Sequence, residues 1–578
     1  MKISSNLRVG NTKGYALLLV LIISVATLTI LAAALSWCST NTTISQRNNQ
    51  YFKTLAAAEA ATEKVITQLA SDYQSQGDSL VAANLDNYRH LVPTAAENSV
   101  WSNYEFKDGQ GSISQTYVQY VPPSQFAPLN SQYSGLYGYA STYRIISNAR
   151  ELNNSIDIVG ALEQDIQVAT IPVFQFAIFY NVDLEINPGA AMNITGPVHC
   201  NATTYLQPMS VLTFNSDVTS VGPIITNKKP TDPTLRTPGT LVFQAEHDAG
   251  VSMLNLPIGT NNSPTAVREI VEIPPSGESA NSPMGKQRLY NMADLIILVS
   301  NNAVVAKSGL VNNFATTIPA SQVNSFLRTN GSFFNKRENK TIQTIDIDVG
   351  KLAAWNASNS LLRSVLAAGD VRTVYVEDFR TQTSTVESGV RLTNGQTILP
   401  KGLTVATPNP VYIEGNYNVP SSALGSTITS GTLPAAIMAD AITILSPNWN
   451  DANSHLALTS RAASDTTVNA AFLAGIVETT SSSYSGGVEN FPRFLENWSS
   501  RTFTYNGSMV VMYDTKFATG LWQGTGTVIG IYNPPIRNWA FDQNFRDPTK
   551  LPPSTPQLRT MIRGTWKAIA PNTVLAGS

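Results

Sequence analysis

Residues 15–35 form an uncharged run of 21 residues, broken only by Ser24, Thr27 and Thr29. As a helix rising 1.5 Å per residue, it would reach about 31 Å, the thickness of one bilayer core. The apolar stretch continues without proline or glycine into a segment where Phe52, Leu55, Ala58, Thr62, Val65 and Leu69 recur at helical spacing. This pattern predicts one helix over about residues 15–71, on the order of 85 Å long, lipid-soluble in its first half and amphipathic in its second.

Beyond it the period shortens. Residues 137–146, 155–162 and 163–170 read as strands of a small α/β head. From residue 172, strands of about five residues alternate with Pro/Gly turns. Gly196-Pro197-Val198 and Gly222-Pro223-Ile224 share a pattern 26 residues apart. Such recurrence suggests the coils of a β-solenoid, with a β-sandwich as the alternative. Residues 341–378 read as strand, helix, strand, and residues 411–414, 436–445, 470–479 and 503–513 as further strands; a Pro-rich tail is expected to wrap the body. The fold expected is mainly β: a long N-terminal helix (15–75) after a leader (1–14), an α/β head (76–172), a β-rich domain (173–330), an α/β insertion (331–390) and a second β-rich domain with the tail (391–578).

Charged residues make up 13% of the chain, about half the usual share, and 37 basic against 39 acidic residues leave a net charge of -2, which excludes a nucleic-acid partner held by bulk charge. Two cysteines, Cys38 and Cys200, and four histidines cannot assemble a Cys/His zinc cluster. No metal site or cofactor is expected, with Ca²⁺ the one ion weighed.

Lys2, Arg8 and Lys13 precede the apolar run and no acidic residue occurs before Glu59, so the positive-inside rule keeps the N-terminus cytoplasmic and exports the rest. The run is too long for an ordinary signal peptide, and bulky Trp37 before Cys38 argues against a lipoprotein signal. Lys13-Gly14-Tyr15 instead has a basic segment ending in Gly directly before the helix. With Ala57-Ala58-Glu59-Ala60 on its exposed half, the stretch 14–64 resembles the N-terminal region of type IV pilin-like proteins, of the minor-pilin (PilX) type. The resemblance implies cleavage between Gly14 and Tyr15 by a prepilin peptidase, an inner-membrane anchor with the bulk periplasmic or extracellular, and other pilin-like subunits as partners. In major pilins the fifth mature residue is Glu; here that position is Leu19, which points to a minor or tip subunit.

Few residues suggest catalysis. Glu246-His247-Asp248 reads as a solvated loop, because three adjacent residues cannot converge on a strand. Asp346 and Asp348 share one strand face, and Asn448, Asn450 and Asp451 flank Trp449. Either set could offer oxygen ligands to Ca²⁺, though a solvated face for the first and a turn for the second are the readings preferred. No nucleophile elbow or phosphate loop occurs. Tyr484, Phe491, Trp498 and Trp522, with Phe494 and Tyr505, are the candidate contacts to a surface glycan or protein ligand. The function expected is a non-catalytic pilin-like subunit of a type IV pilus or type II secretion pseudopilus, acting in assembly or adhesion. The alternatives are a membrane-tethered polysaccharide-active β-solenoid enzyme and an uncleaved anchored envelope protein.

Overall fold

The computed structural model describes residues 15–154, 156–308, 317–366 and 369–571. Gly14 and the rest of the expected leader lie outside the described residues.

The N-terminal helix spans Tyr15–Gln76. Every residue from 15 to 49 is exposed. The hydroxyls of Ser24, Thr27 and Thr29 donate to the carbonyls of Val20, Ile23 and Val25 at 2.7 to 2.8 Å, so this stretch carries its polar groups already paired. Burial begins at Gln50 and continues through Thr54, Ala57, Ala58, Ala61, Thr62, Val65, Ile66, Leu69 and Tyr73. Phe52, expected on this face, is 64% exposed instead. The contact is too close for a ring: a Cβ at Gly160 on the facing sheet would sit 2.4 Å from the Leu55 backbone nitrogen. Alanine and threonine fit such an approach, and Thr62 Oγ1 donates to Ser147 Oγ across it at 2.9 Å.

The sheet covering this half of the helix is antiparallel, with neighbours in the order Tyr104–Lys107, Tyr137–Glu151, Val159–Pro172 and Gln557–Ala568; Tyr117–Pro128 also pairs with Tyr137–Glu151. The two strands expected over 155–170 are one, because the ladder from Arg150↔Val159 to Tyr139↔Thr170 runs unbroken. The tail first lies along the body as expected, Thr404 Oγ1 donating to the Pro553 carbonyl at 2.6 Å, and then ends on the head. Its strand Gln557–Ala568 closes the free edge of Val159–Pro172. From there Arg559 Nη1 donates to the carbonyls of Tyr73 and Gln74 at 3.1 and 2.9 Å, tying the tail to the end of the helix.

Between those two strands the chain leaves the head to build the body. Strands Ile178–Tyr180, Val198–Cys200 and Val218–Ser220 pair in parallel, Ile178 opposite Val198 and Val198 opposite Val218, a step of 20 residues. Leu184↔Thr204↔Ile224 and Met192↔Leu212 keep the same step in two further sheets, so each coil contributes one short strand to each of three sheets. The Gly-Pro pair seen in the sequence is therefore not the repeat: Gly196-Pro197 leads into one sheet and Gly222-Pro223 into another.

Spatial order departs from chain order. The chain enters the body in the middle of its largest sheet at Ile178–Tyr180 and winds outward to His247–Ala249. It then returns to the opposite end at Leu295–Val299 and winds back through Thr373–Asp378, Leu403–Ala406, Ala435–Ala439 and Ala471–Ile476. Met509–Asp514 finally pairs with Ile178–Tyr180. The strands flanking the helices Val349–Ser358 and Ser360–Val365 belong to the large sheets.

Two long strands expected from the sequence are each two strands meeting at a corner. One breaks at Asp440, whose buried carboxylate accepts from Arg268 and from the backbone N–H groups of Lys516, Phe517 and Ala518. The other breaks at Ser508. Asn418, Asn469 and Asn506 stack at successive corners, with Asn506 Nδ2 donating to Asn469 Oδ1 at 2.7 Å and Asn469 Nδ2 to the Asn418 carbonyl at 2.9 Å. The amides keep these buried turns hydrogen-bonded.

Candidate functional site

The neighbouring parallel strands Lys340–Asp348, Val386–Thr393 and Val411–Glu414 build the floor of a groove on the outside of the body. Alternation along the first buries Ile345 and Ile347 and turns Asp346 and Asp348 outward. Register sets Asp346 opposite Arg391 and Asp348 opposite Thr393. Leu392 faces Ile413, so Glu414 falls in the same row as Thr393.

Arg391 is the hub. Its Nε and Nη2 donate to the two oxygens of Asp346 at 2.9 and 2.8 Å, and its Nη1 to Asp451 Oδ1 at 2.7 Å. The same Nη1 lies 3.2 Å from Glu414 Oε2. Asp451 arrives on the loop after Ile442–Leu445, where Trp449 Nε1 donates to its Oδ1 at 2.8 Å. Gly331, on the neighbouring antiparallel strand Leu327–Asn335, leaves room for this network, because a Cβ there would stand 2.6 Å from Asp346 Oδ2. Asp348 caps the helix Val349–Ser358, accepting from the Lys351 backbone N–H at 2.9 Å, with Lys351 Nζ 3.3 Å from its second oxygen. Together with Arg328, Asn448 and Asn450 these side chains line a cavity of about 630 Å³.

Local fields differ across the groove. Burial raises the Glu414 carboxyl; Arg391 works against that rise, while Asp451 and Asp346 reinforce it. Burial also opposes ionisation of Asp348, but the Lys351 backbone N–H, Asn394 and the Lys351 ammonium outweigh it and hold that carboxyl below its usual range. Burial disfavours the Arg391 charge, yet Asp346 and Asp451 keep the guanidinium above its ordinary range. The result is a fixed, mixed-charge lattice open to solvent on one side.

Both oxygen sets singled out in the sequence thus meet at one place. Arg391 and Glu414, which complete the groove, were missed, since neither stands near Asp346 or Asp451 in sequence. Only the strand register unites them. Arg391 occupies the point where a cation would balance these carboxylates, and among the described residues no group of three or more His, Cys, Asp or Glu has metal-holding geometry.

The aromatic patch is not a surface. Tyr484, Phe491, Phe494, Trp498 and Tyr505 are buried, Trp498 completely, and Trp522 is half-buried with its Nε1 donating to Tyr532 Oη at 3.0 Å. Trp498 packs edge-on against Phe494, Tyr484 against Trp522, and Phe494 against Phe503. The five buried rings fill the interior of the body and cannot contact an external ligand there. Tyr15 and Leu19 are exposed on the N-terminal helix. His247 stacks on Phe243 at an exposed edge strand, away from any cluster. Cys38 and Cys200 are both free.

No family model matches the chain, and no curated protein matches it. Among solved structures, the competence-associated pilin ComZ from Thermus thermophilus aligns over 90% of this chain and 98% of its own, at 11% identity and a TM-score of 0.29. So loose a superposition leaves the functional argument to the chain's own geometry.

Proposed function

We propose that the protein is a non-catalytic, pilin-like subunit of a type IV pilus or type II secretion pseudopilus. The observation that carries this is the division of Tyr15–Gln76: an apolar half with no contacts, continuous with a half packed under a sheet. A simple membrane anchor needs no rigid extension into its domain. A helix that must leave the bilayer and pack among other such helices does. Insertion with the N-terminus inside, processing after Gly14 by a prepilin peptidase, and a body facing the periplasm or the cell exterior follow from this reading, with the inner membrane and other pilin-like subunits as partners.

The β-rich body, which we take as a β-solenoid, starts from one strand of the head and returns to its neighbour. So bulky an addition suits a minor subunit at the tip, and Leu19 leaves no carboxylate to pair with a neighbour's amine. Adhesion would then be the body's task. The test is the mass of the mature N-terminus: a chain beginning at Tyr15 supports the proposal, and an intact Met1 or a chain cut near residue 35 ends it. A second reading, a membrane-tethered protein acting on polysaccharide, is favoured by the groove at Arg391. Release of reducing ends from glycan would establish it.

A further inference from the structure

We propose that the groove around Arg391 binds a neutral glycan. This goes beyond the filament reading and does not depend on it. The cavity, about 630 Å³, lies in the ~300–1,000 Å³ range of small-ligand sites. Its groups are held in place before any ligand arrives: Arg391 fixes Asp346, Asp451 and Glu414, and Trp449 fixes Asp451 again.

What the network leaves over matches hydroxyl chemistry. Arg391 engages one oxygen each of Asp451 and Glu414, and the other has no partner among the described residues, while these side chains remain 34% and 30% exposed. Lys351, Arg328 and the amides of Asn448 and Asn450 add donors to this ring of acceptors. A sugar hydroxyl both donates and accepts, so interleaved carboxylates, amides and cations suit it.

Other ligand classes fit less well. An anionic ligand would meet Asp346, Asp348, Glu414 and Asp451 together, and a divalent cation would meet the Arg391 guanidinium at the centre. A peptide finds no free edge on the groove floor, since Val386–Thr393 and Val411–Glu414 are paired on both sides, and no open apolar pocket, since Phe326 and Trp449 are buried.

The test uses the full chain in a detergent without a sugar headgroup. Neutral di- to tetrasaccharides of glucose, galactose, mannose and N-acetylglucosamine are titrated calorimetrically, beside uronate oligosaccharides, calcium chloride and short peptides. At least one neutral oligosaccharide should bind with a Kd below about 1 mM. Thr393→Tyr, which fills the floor, should weaken it at least about tenfold, and Glu414→Gln by about three- to tenfold. Arg328→Ala, on an exposed side chain, gives the same readout if Thr393→Tyr does not fold. The proposal is overturned if no neutral oligosaccharide binds, if the folded groove variants bind as wild type does, or if only a peptide, uronate or calcium saturates the site.

Discussion

Replacing Arg391 by Leu removes a cation that touches three carboxylates. The Arg391 side chain is 8% exposed, and those of Asp346, Glu414 and Asp451 are 15%, 30% and 34% exposed. Breaking a fully buried pair costs about 3–5 kcal/mol, because the surviving charge stays desolvated. Here the stranded carboxylates reach water, so the expected loss is nearer 2–4 kcal/mol. Adding Asp346→Leu should restore about 1–2 kcal/mol by removing the most buried of them. Acidification should help too. Burial already raises the Glu414 carboxyl, and losing Arg391 raises it further, so the folded variant holds a proton that the unfolded chain releases near its ordinary pKa. Stability tied to that proton is present below the unfolded value and lost as pH rises through the folded one, so the deficit of Arg391→Leu should shrink as pH falls from 7 toward 5. Urea unfolding followed by tryptophan fluorescence at pH 5, 6 and 7 measures all three quantities. A loss under about 1 kcal/mol at pH 7, or a deficit that grows on acidification, refutes the argument.

Gly160→Val should cost more than about 2 kcal/mol and loosen the helix from the head, because its first side-chain atom would lie 2.4 Å from the Leu55 backbone; faster proteolysis within residues 50–76 reads this out. Truncation after Pro556 removes Gln557–Ala568 and opens the edge of Val159–Pro172, so the shortened chain should associate, as light scattering would detect. Burial foremost pushes the carboxyls of Glu377, Glu387, Glu489 and Glu496 up to about 7. Each therefore contributes stability that is full below about pH 4.3 and lost as pH rises through about 7, up to about 4 kcal/mol per group. Glu496→Gln should flatten that slope in unfolding measured between pH 4.5 and 8.

The helix was legible because its cause is local. An uncharged run at 1.5 Å per residue, followed by residues at helical spacing, needs no partner to be recognised, although the face chosen was displaced at Phe52. Which residues face the sheet depends on how near the sheet comes, and Gly160, about a hundred residues away, sets that. The strand-rich character of residues 172–571 could likewise be read from short apolar runs between turns. The corners at Asp440 and Ser508 could not, because an apolar run reads the same when it passes round a bend.

The sequence by itself determined one long helix, apolar then amphipathic, and a body of short strands low in charge. Tertiary structure alone decided the order in which the coils stack, the return of residues 557–568 to the head, the burial of Tyr484, Phe491 and Trp498, and the meeting of Asp346, Arg391, Glu414 and Asp451. The physical reason is register: parallel strands bring together side chains separated by a whole coil of chain, and nothing in the order of residues states how long each coil will be.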